Sequence, residues 1–325
     1  MKLILLGCGT STGVPRVGGE DGQPDWGLCD PDQPKNRRTR ASIMVESDAG
    51  KRILVDTGTD LRQQLLANNI HKLDAVFWTH DHADHCHDID DLRPLRYGRG
   101  GPIAGYAVDE TMRRLRNRFS YVFSGQHGYH TLVEIEGLDR LKMCMGFGVG
   151  WTQMPHGPAE STAFRFDCDG KSIGYATDFS AITAEMVSLF HGVDLLVTDC
   201  LRREPHPTHA HLGMSLELIE AARADRAVLT HLDKSMDYVV LSNEIPPHVE
   251  VGYDGMVINL RALFYIITII NGIISNTYNS VGHRAARWRA TQLPAGNCSR
   301  CWQKSLRARP DDDSNYPCPH RRFMF

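Results

Sequence analysis

The residues best suited to chemistry lie in one heptapeptide, Thr79–His85, which reads Thr-His-Asp-His-Ala-Asp-His. It follows the apolar run Ala75–Trp78, whose β-branched and aromatic side chains predict a buried strand. Imidazole and carboxylate groups are the ligands of divalent metals such as zinc and manganese. At the end of a buried strand, imidazole and carboxylate groups without a partner would lose solvation with no compensating interaction. The heptapeptide therefore indicates a metal site rather than a solvated polar loop.

The spacing of these residues favours two ions rather than one. His80 and His82 are two residues apart and can approach one ion from the same side, whereas Asp84 and His85 are adjacent and can approach a second. Four ligands exceed what one catalytic metal needs, since such a metal keeps an open position for water. A two-metal centre needs further ligands, which later segments offer at predicted strand ends. These are His156, Asp178 and His231.

In order along the chain, these motifs resemble those of the metallo-β-lactamase superfamily, and the strand and turn Arg52–Gly58 matches its first motif. The resemblance extends from Met1 to about Leu260. It implies an α/β fold, an αββα sandwich with the metals at one edge between two sheets. It also implies a hydrolase whose cofactors are two divalent ions, with zinc, manganese and iron all acceptable to nitrogen and oxygen ligands.

Carried over position by position, the resemblance implies seven metal ligands in two groups. The first ion would be held by His80, His82 and His156, and the second by Asp84, His85 and His231. Asp178 would bridge both ions, and Asp56 would orient the histidine motif without touching metal.

The chemistry implied is hydrolysis of a phosphodiester, with Asp84 and Asp178 serving as catalytic residues as well as ligands. Two ions about 3.5–4 Å apart can share one water, lower its pKa and hold the hydroxide as nucleophile. A proton for the leaving oxygen would come from His209, whose spacing fits the additional histidine of the family best, or from His211. The alternative is that both histidines lie on the surface of a loop before a helix.

Within the superfamily, the segment Gly7–Pro15 looks like the N-terminal turn of the tRNA 3′-processing endonucleases and of the cyclic phosphoribosyl phosphodiesterase of the carbon–phosphorus lyase pathway. The segments Asp91–Gly98 and Gly252–Met256 resemble the second group in particular. No long arm rich in glycine and proline, of the kind that grips tRNA, follows the histidine cluster. The resemblance therefore implies a small cyclic ribose phosphate or a nucleotide-like phosphodiester as substrate.

The chain departs from that group at its structural zinc site, which is built from clustered cysteines near the N-terminus and a histidine three residues after the last metal ligand. Here the loop Gly18–Arg38 contains only Cys29, and Lys234 occupies the histidine position. We therefore expect this zinc to be missing and the loop to cover part of the mouth of the site.

Three other functions stay open. An RNA 3′-processing endonuclease would cleave precursor tRNA, a thioester or lactone hydrolase would turn over acyl substrates, and a metal-binding scaffold would turn over nothing. Phosphate recognition could use Arg37, Arg38 and Arg40, or Arg93 and Arg96, although such a group of charges is more often a solvated face than a binding site.

Composition limits the partners. The chain has 325 residues, of which 42% are hydrophobic, and a net charge of −3. Residues 1–260 carry a net −10 and residues 261–325 a net +7. Long nucleic acid is therefore not an expected partner of the hydrolase domain. We expect a small phosphodiester as partner, no membrane, and a cytoplasmic location because the six cysteines of residues 1–260 are scattered without a disulfide pattern. A homodimer stays open.

The pattern of predicted strands and helices divides the chain into two regions. Strands interleaved with helices predict an α/β layered domain over residues 1–260. The predicted strands are 3–6, 42–46, 52–56, 75–79, 162–166, 171–177, 195–199 and 226–230, and the predicted helices are 61–68, 110–119, 184–190 and 215–224. Residues 261–325 are expected to be a foreign, unstructured tail. Their apolar run Leu263–Ile274 is too short to span a bilayer, and Cys298, Cys301, Cys318 and His320 lack the patterning of a zinc module.

Overall fold

The computed structural model describes residues 1–125 and 128–260. The predicted tail, with its apolar run and its cysteine and histidine group, lies outside these residues. The domain boundary at 260 therefore stays a prediction.

The described residues form two seven-stranded sheets. The first sheet contains β1 (Lys2–Gly7), β2 (Ser42–Glu46), β3 (Arg52–Val55), β4 (Ala75–Phe77), β5 (Ile103–Ala107), β6 (Val133–Gly137) and, late in the chain, β14 (Met256–Asn259). The second contains β7 (Met143–Cys144), β8 (Phe147–His156), β9 (Ala159–Cys168), β10 (Lys171–Ala176), β11 (Leu195–Asp199), β12 (Ala227–Thr230) and β13 (Val249–Val251). Their orders are β14-β1-β2-β3-β4-β5-β6 and β13-β12-β11-β10-β9-β8-β7.

Each sheet has a parallel half, and these halves position the site. Strands β3 to β6 run parallel to one another, as do β10 to β13. In the register of the second sheet, Ala176 pairs with Thr198 and Asp199 with Thr230. Because the carboxyl ends of parallel strands meet at one edge, the residues that follow β10 and β12 emerge beside the end of β11.

Helices cover both outer faces. They are α1 (Leu61–Ala67), α2 (Ala83–Cys86), α3 (Leu92–Tyr97), α4 (Asp109–Arg118), α5 (Ser120–Ser124), α6 (Ala184–Phe190), α7 (Leu212–Ala222) and α8 (Tyr238–Ser242). Between the sheets, Phe77 makes edge contacts with Phe164 and Phe166, each at 5.4 Å between ring centroids. The predicted αββα sandwich is confirmed. Within the described ranges, no helix has the length and apolarity that a bilayer crossing demands.

The largest difference from the predicted elements is the hairpin of β8 and β9. The prediction began a strand at residue 162, but β9 begins at Ala159 and pairs along its length with β8. Glycines lower the strand propensity of β8, and at Gly150 the strand packs closely against α6, since a Cβ there would lie 2.9 Å from Leu189. The hairpin places His156 at the end of β8.

Candidate metal centre

The structure brings all seven predicted ligands into two adjacent groups. Within each group, one potential ligand atom per residue lies within 4.8 Å of the others. The first group is His80, His82, His156 and Asp178, and the second is Asp84, His85 and His231.

The carboxylate of Asp178 lies between the two groups. Its Oδ1 is 3.5 Å from Nε2 of His85 and 3.4 Å from Nε2 of His231. Its Oδ2 is 3.8 Å from Nε2 of His80 and 3.7 Å from Nε2 of His156. One oxygen therefore faces each group, which is the arrangement that a bridging ligand requires.

Asp56 fixes the histidine motif, as predicted. Its carboxylate accepts hydrogen bonds from the Thr79 backbone nitrogen and the Thr79 hydroxyl, both at 2.8 Å. It also lies 2.7 Å from Nδ1 of His85. Because the carboxylate engages Nδ1, the Nε2 of His85 is the nitrogen available to a metal.

The buried polar atoms of this cluster fit a metal ion. The Nε2 atoms of His80, His85 and His231 are buried and have no hydrogen-bond partner among the residues that the structure describes. An unsatisfied buried polar group costs about 1–3 kcal/mol, so three of them in one place would destabilise the fold unless a further group engaged them. The imidazole and carboxylate donors suit zinc, manganese or iron.

Burial and neighbouring charge set the protonation of the cluster. Burial lowers the pKa of His80 well below its ordinary value, which keeps the imidazole in the neutral form that coordinates metal. Burial alone would also lower the pKa of His85, but the carboxylates of Asp178, Asp84 and Asp56 outweigh it and raise this pKa well above the ordinary value. The pKa of His231 is raised to about 9, since Asp178 and Asp84 outweigh the effect of its burial.

We expect divalent ions to displace a proton from His231 when they bind at pH 7. Its pKa is raised to about 9, so its imidazole carries a proton that a metal must replace. The apparent affinity should therefore rise with pH until the pKa of His231, at about 9, is passed. Calorimetric titration with Mn²⁺ in buffers of different ionisation enthalpy measures the protons released, and a binding enthalpy that does not depend on the buffer would contradict this expectation.

Asp199 is a site residue that the sequence reasoning missed. It ends β11 and is fully buried, with Oδ2 3.3 Å from Nδ1 of His209 and Oδ1 3.6 Å from Nδ1 of His231. The same Oδ2 accepts a hydrogen bond from the Ala210 backbone nitrogen at 3.2 Å. The sequence contained a pattern that could have identified Asp199. The predicted strand 195–199 ends in a carboxylate, just as the segment leading to Asp178 does.

The two candidate proton donors, His209 and His211, have different surroundings in the structure. The ring of His209 lies 4.8 Å from the rings of both His156 and His231, and its Nδ1 is 3.8 Å from Oδ2 of Asp178. Its side chain is only 14% exposed, so it is not a surface histidine. His211 instead occupies the N-cap position of α7. Among the described contacts, His209 alone of the two joins the ligand cluster.

Three of the predicted phosphate-binding arginines already have protein partners. Arg38 is 2% exposed and donates to the backbone carbonyl of Met236 at 2.6 Å, so the hypothesis that it binds phosphate is wrong. Arg40 pairs with Asp60, and Arg93 pairs with Asp90. The arginines in contact with the histidine motif are Arg114 and Arg118 of α4, which hold the carboxylate of Asp81 at 3.3 and 2.8 Å.

The loop Gly18–Arg38 is joined to the segment that follows His231. Lys234 forms an ion pair with Asp25 and accepts a hydrogen bond from the Leu28 backbone nitrogen at 2.8 Å. A guanidinium nitrogen of Arg38 lies 3.8 Å from the sulfur of Cys29. Lys234 and Cys29, the residues at which the chain departs from the family's structural zinc site, therefore both make direct polar contacts. That the loop covers the mouth of the site stays a prediction.

The family model described as Beta-lactamase superfamily domain matches residues 51–232. An octanoyltransferase from Porphyromonas gingivalis (strain ATCC BAA-308 / W83) is 36% identical over 266 residues, which cover 79% of this chain and 51% of that protein. The chain thus spans about half the length of the curated relative that it matches.

Solved structures are similar over most of the described chain. A new diphosphatase from the PhnP family is 34% identical, with a TM-score of 0.70 over 79% of this chain and 96% of its own. The short form of human tRNase Z is 19% identical, with a TM-score of 0.60 over 81% and 100% of the two chains. Zn²⁺-bound PqqB from Methylobacterium extorquens is also 19% identical, with a TM-score of 0.64 over 80% and 100%.

The predicted resemblance is therefore confirmed by a family model that matches more than half of the chain. The diphosphatase and the tRNase Z are structures of the two branches that the motifs indicated. The protein belongs to the beta-lactamase superfamily and has the metallo-β-lactamase fold.

Proposed function

We propose that the protein is a phosphodiesterase that hydrolyses a small cyclic ribose phosphate or a nucleotide-like phosphodiester. The observation that carries the proposal is the position of Asp178, whose two oxygens face two histidine groups, with the pair of Asp199 and His209 beside them. Hydrolysis of a phosphodiester needs neutralisation of charge, a nucleophile and a proton for the leaving alkoxide. The two ligand groups and His209 match these three requirements.

In this proposal, His80, His82 and His156 would hold one divalent ion, Asp84, His85 and His231 would hold a second, and Asp178 would be a ligand of both. Bound divalent ions, zinc or manganese, would supply an activated water and neutralise the phosphoryl charge. The protein's own contribution is to keep the ligands oriented. Asp56 orients His85 through Nδ1, and Asp199 lies against the Nδ1 atoms of His209 and His231.

His209 is the proposed proton donor to the leaving oxygen. Its Nδ1 faces the carboxylate of Asp199, which holds the orientation of the ring. Because Asp199 is fully buried, its charge is little screened by solvent and acts at short range. The pair of His209 and Asp199 lies beside the carboxylate of Asp178. A substrate phosphoryl group would bind there.

A second candidate is hydrolysis of a diphosphate ester, which the 34% identity to a PhnP-family diphosphatase favours. Both substrate classes present a phosphoryl group to the same ligands. They differ in the group that departs, because a phosphate leaves without the proton that an alkoxide needs.

A substrate panel tests the proposal. Mn²⁺- and Zn²⁺-loaded protein would be assayed on a 2′,3′-cyclic nucleotide, a cyclic ribose phosphate, a nucleoside diphosphate ester, precursor tRNA and a thioester. We expect turnover of a small phosphodiester. Efficient cleavage of precursor tRNA with no activity on any small cyclic phosphate would overturn the proposal, and turnover of the diphosphate ester alone would favour the second candidate.

A mononucleotide or ribose phosphate should inhibit competitively. The net charge of −10 on residues 1–260 gives long nucleic acids no basic surface field, whereas a single phosphate can be held by the metal centre. We expect an inhibition constant in the millimolar range or better, equivalent to about −4 kcal/mol or stronger. Steady-state kinetics at several inhibitor concentrations measure it, and noncompetitive inhibition would contradict binding at the active site.

A further inference from the structure

Four of the seven proposed ligands lie in residues 80–85, a segment that runs into α2, a helix of a single turn. Here the backbone nitrogens of His85 and His87 donate to the carbonyls of His82 and Ala83, each at 3.0 Å. One helical turn does not maintain its own geometry, because helix nucleation is unfavourable and short helices are marginal in water. The positions of these ligands therefore depend on contacts from other parts of the chain.

Arg118, the last residue of α4, contacts this segment at two places. Its Nη1 donates to the backbone carbonyl of Asp81 at 2.5 Å, and its Nη2 donates to the Asp81 carboxylate at 2.8 Å. The same Nη1 lies 3.5 Å from the sulfur of Cys86. Because Asp81 precedes His82 and Cys86 follows His85, a single guanidinium spans the part of the segment that contains three ligands, and these belong to both ligand groups.

The backbone carbonyl of Asp81 depends on Arg118. Within the described part of the chain, this carbonyl accepts hydrogen bonds only from Arg118 and from the thiol of Cys86, the latter at 3.3 Å. Asp81 is 8% exposed, so solvent replaces a lost donor poorly. Without Arg118, the carbonyl would keep only the thiol, which is a weak donor. The backbone at Asp81 is therefore expected to shift when the guanidinium is removed.

Arg114, on the same helix, contacts Asp81 in a different way. Its Nη1 lies 3.3 Å from the Asp81 carboxylate, while its Nε donates to Glu110 at 2.8 Å. Its contacts with described residues include neither the Asp81 carbonyl nor Cys86. Arg114 thus adds positive charge beside Asp81 without bridging the two ends of the ligand segment.

We propose that Arg118 is a positioning residue of the metal centre, which holds residues 81–86 in the arrangement that lets His82, Asp84 and His85 reach their ions. The inference rests on the metal centre of the proposed function and concerns how its ligands are held, not which substrate it takes. Groups that orient metal ligands from outside typically change metal affinity about 10–100-fold when they are removed.

Calorimetric titration with Mn²⁺ tests the proposal on the full chain without any substrate. Arg118→Ala should lower the Mn²⁺ affinity about 10–100-fold. Arg114→Ala should lower it by less than about threefold, because a half-exposed ion pair contributes little. Arg118→Lys keeps the charge but not the planar pair of donors, so its affinity should fall between those of wild type and Arg118→Ala. Arg113→Ala is the matched control, since Arg113 is an exposed arginine of α4 that pairs with Glu110, and it should bind Mn²⁺ like wild type.

Two further readouts separate positioning from a general loss of stability. Guanidinium chloride in the millimolar range, compared with equal sodium chloride, should restore part of the Mn²⁺ affinity of Arg118→Ala, because the free ion can donate to Asp81. Guanidinium otherwise weakens folded structure, so a merely destabilised variant would gain nothing from it. Hydrogen exchange in the absence of metal should be faster at the amides of His85 and His87 in Arg118→Ala and unchanged in the strands. The helix itself should persist, since Thr111 and Leu115 are its buried residues.

Unchanged Mn²⁺ affinity in Arg118→Ala, or an equal loss in Arg114→Ala, would overturn the inference, and so would wild-type protein that binds no divalent ion. Faster exchange throughout the chain, with no rescue by guanidinium, would overturn it as well and make Arg118 a residue of general stability. Loss of affinity with the expected rescue, in a protein whose wild type turns over no phosphodiester, would support the positioning role while it refuted the proposed function.

Discussion

Asp178→Ala is expected to reduce the binding of both divalent ions and to lower kcat for a small phosphodiester by about 10³-fold or more. The carboxylate has one oxygen towards each histidine group, at 3.4 to 3.8 Å from four imidazole nitrogens. Its removal therefore takes a ligand from each proposed ion at once. A catalytic metal contributes several kcal/mol to stabilisation of the transition state, and each 1.36 kcal/mol corresponds to a tenfold change in rate.

Elemental analysis of protein equilibrated with saturating Mn²⁺ or Zn²⁺ measures this effect directly. Wild-type protein should hold two ions per chain, and Asp178→Ala clearly fewer. Asp178→Asn keeps one acceptor oxygen and should fall between the two. Asp139→Ala, which changes an exposed aspartate outside the cluster, should bind metal like wild type. One ion or none in the wild-type protein would refute the two-ion assignment.

Much of this centre follows from the sequence because its ligands obey local rules. The histidine motif is contiguous, and it follows an apolar strand that must be buried. Asp178 and His231 follow strands that the sequence also predicts. In a parallel sheet, strand ends meet at one edge, so residues that are far apart in the chain are expected to converge there.

The parts that could not be predicted depend on contacts between distant segments. Asp199 becomes informative only when β11 lies beside His209 and His231. The burial of Arg38 depends on carbonyl groups of residues 233 and 236, about 200 positions away. The strand β8 was missed because its glycines disfavour a strand, whereas in the structure Gly150 packs closely against Leu189 of α6.

Backbone conformation is a further property that the sequence did not reveal. Asp56, Asp178 and His231 each lie within two residues of the end of a strand, and each has a positive φ, at 68°, 63° and 59°. Such conformations cost of order 1–3 kcal/mol for residues other than glycine and persist where the surrounding structure maintains them. All three residues belong to or support the proposed metal centre. The turns that end these strands are therefore part of what orients the side chains.

His209→Ala should slow the hydrolysis of a diester with a poor leaving group, such as an alkyl or ribosyl alkoxide, far more than that of an activated aryl diester. A general acid contributes about 10²–10⁴-fold only where the departing oxygen needs its proton, so the aryl substrate should change little. The ratio of kcat/KM for the two substrates is the measurement. It separates proton donation from metal binding, because the loss of a metal ligand would slow both substrates.

The same ratio decides between the two histidines. His211→Ala should leave the ratio unchanged, since His211 lies at the start of α7 and His209 lies against Asp199 and the ligand cluster. His71→Ala, a change in an exposed histidine beyond α1, controls for nonspecific effects. Equal slowing of both substrates by His209→Ala would make His209 a ligand or a structural residue, which is consistent with its position within 4.8 Å of Asp178 and His231 ligand atoms. A diphosphate ester, whose phosphate leaves without a proton, should behave like the aryl diester, so the same variant also distinguishes the two proposed substrate classes.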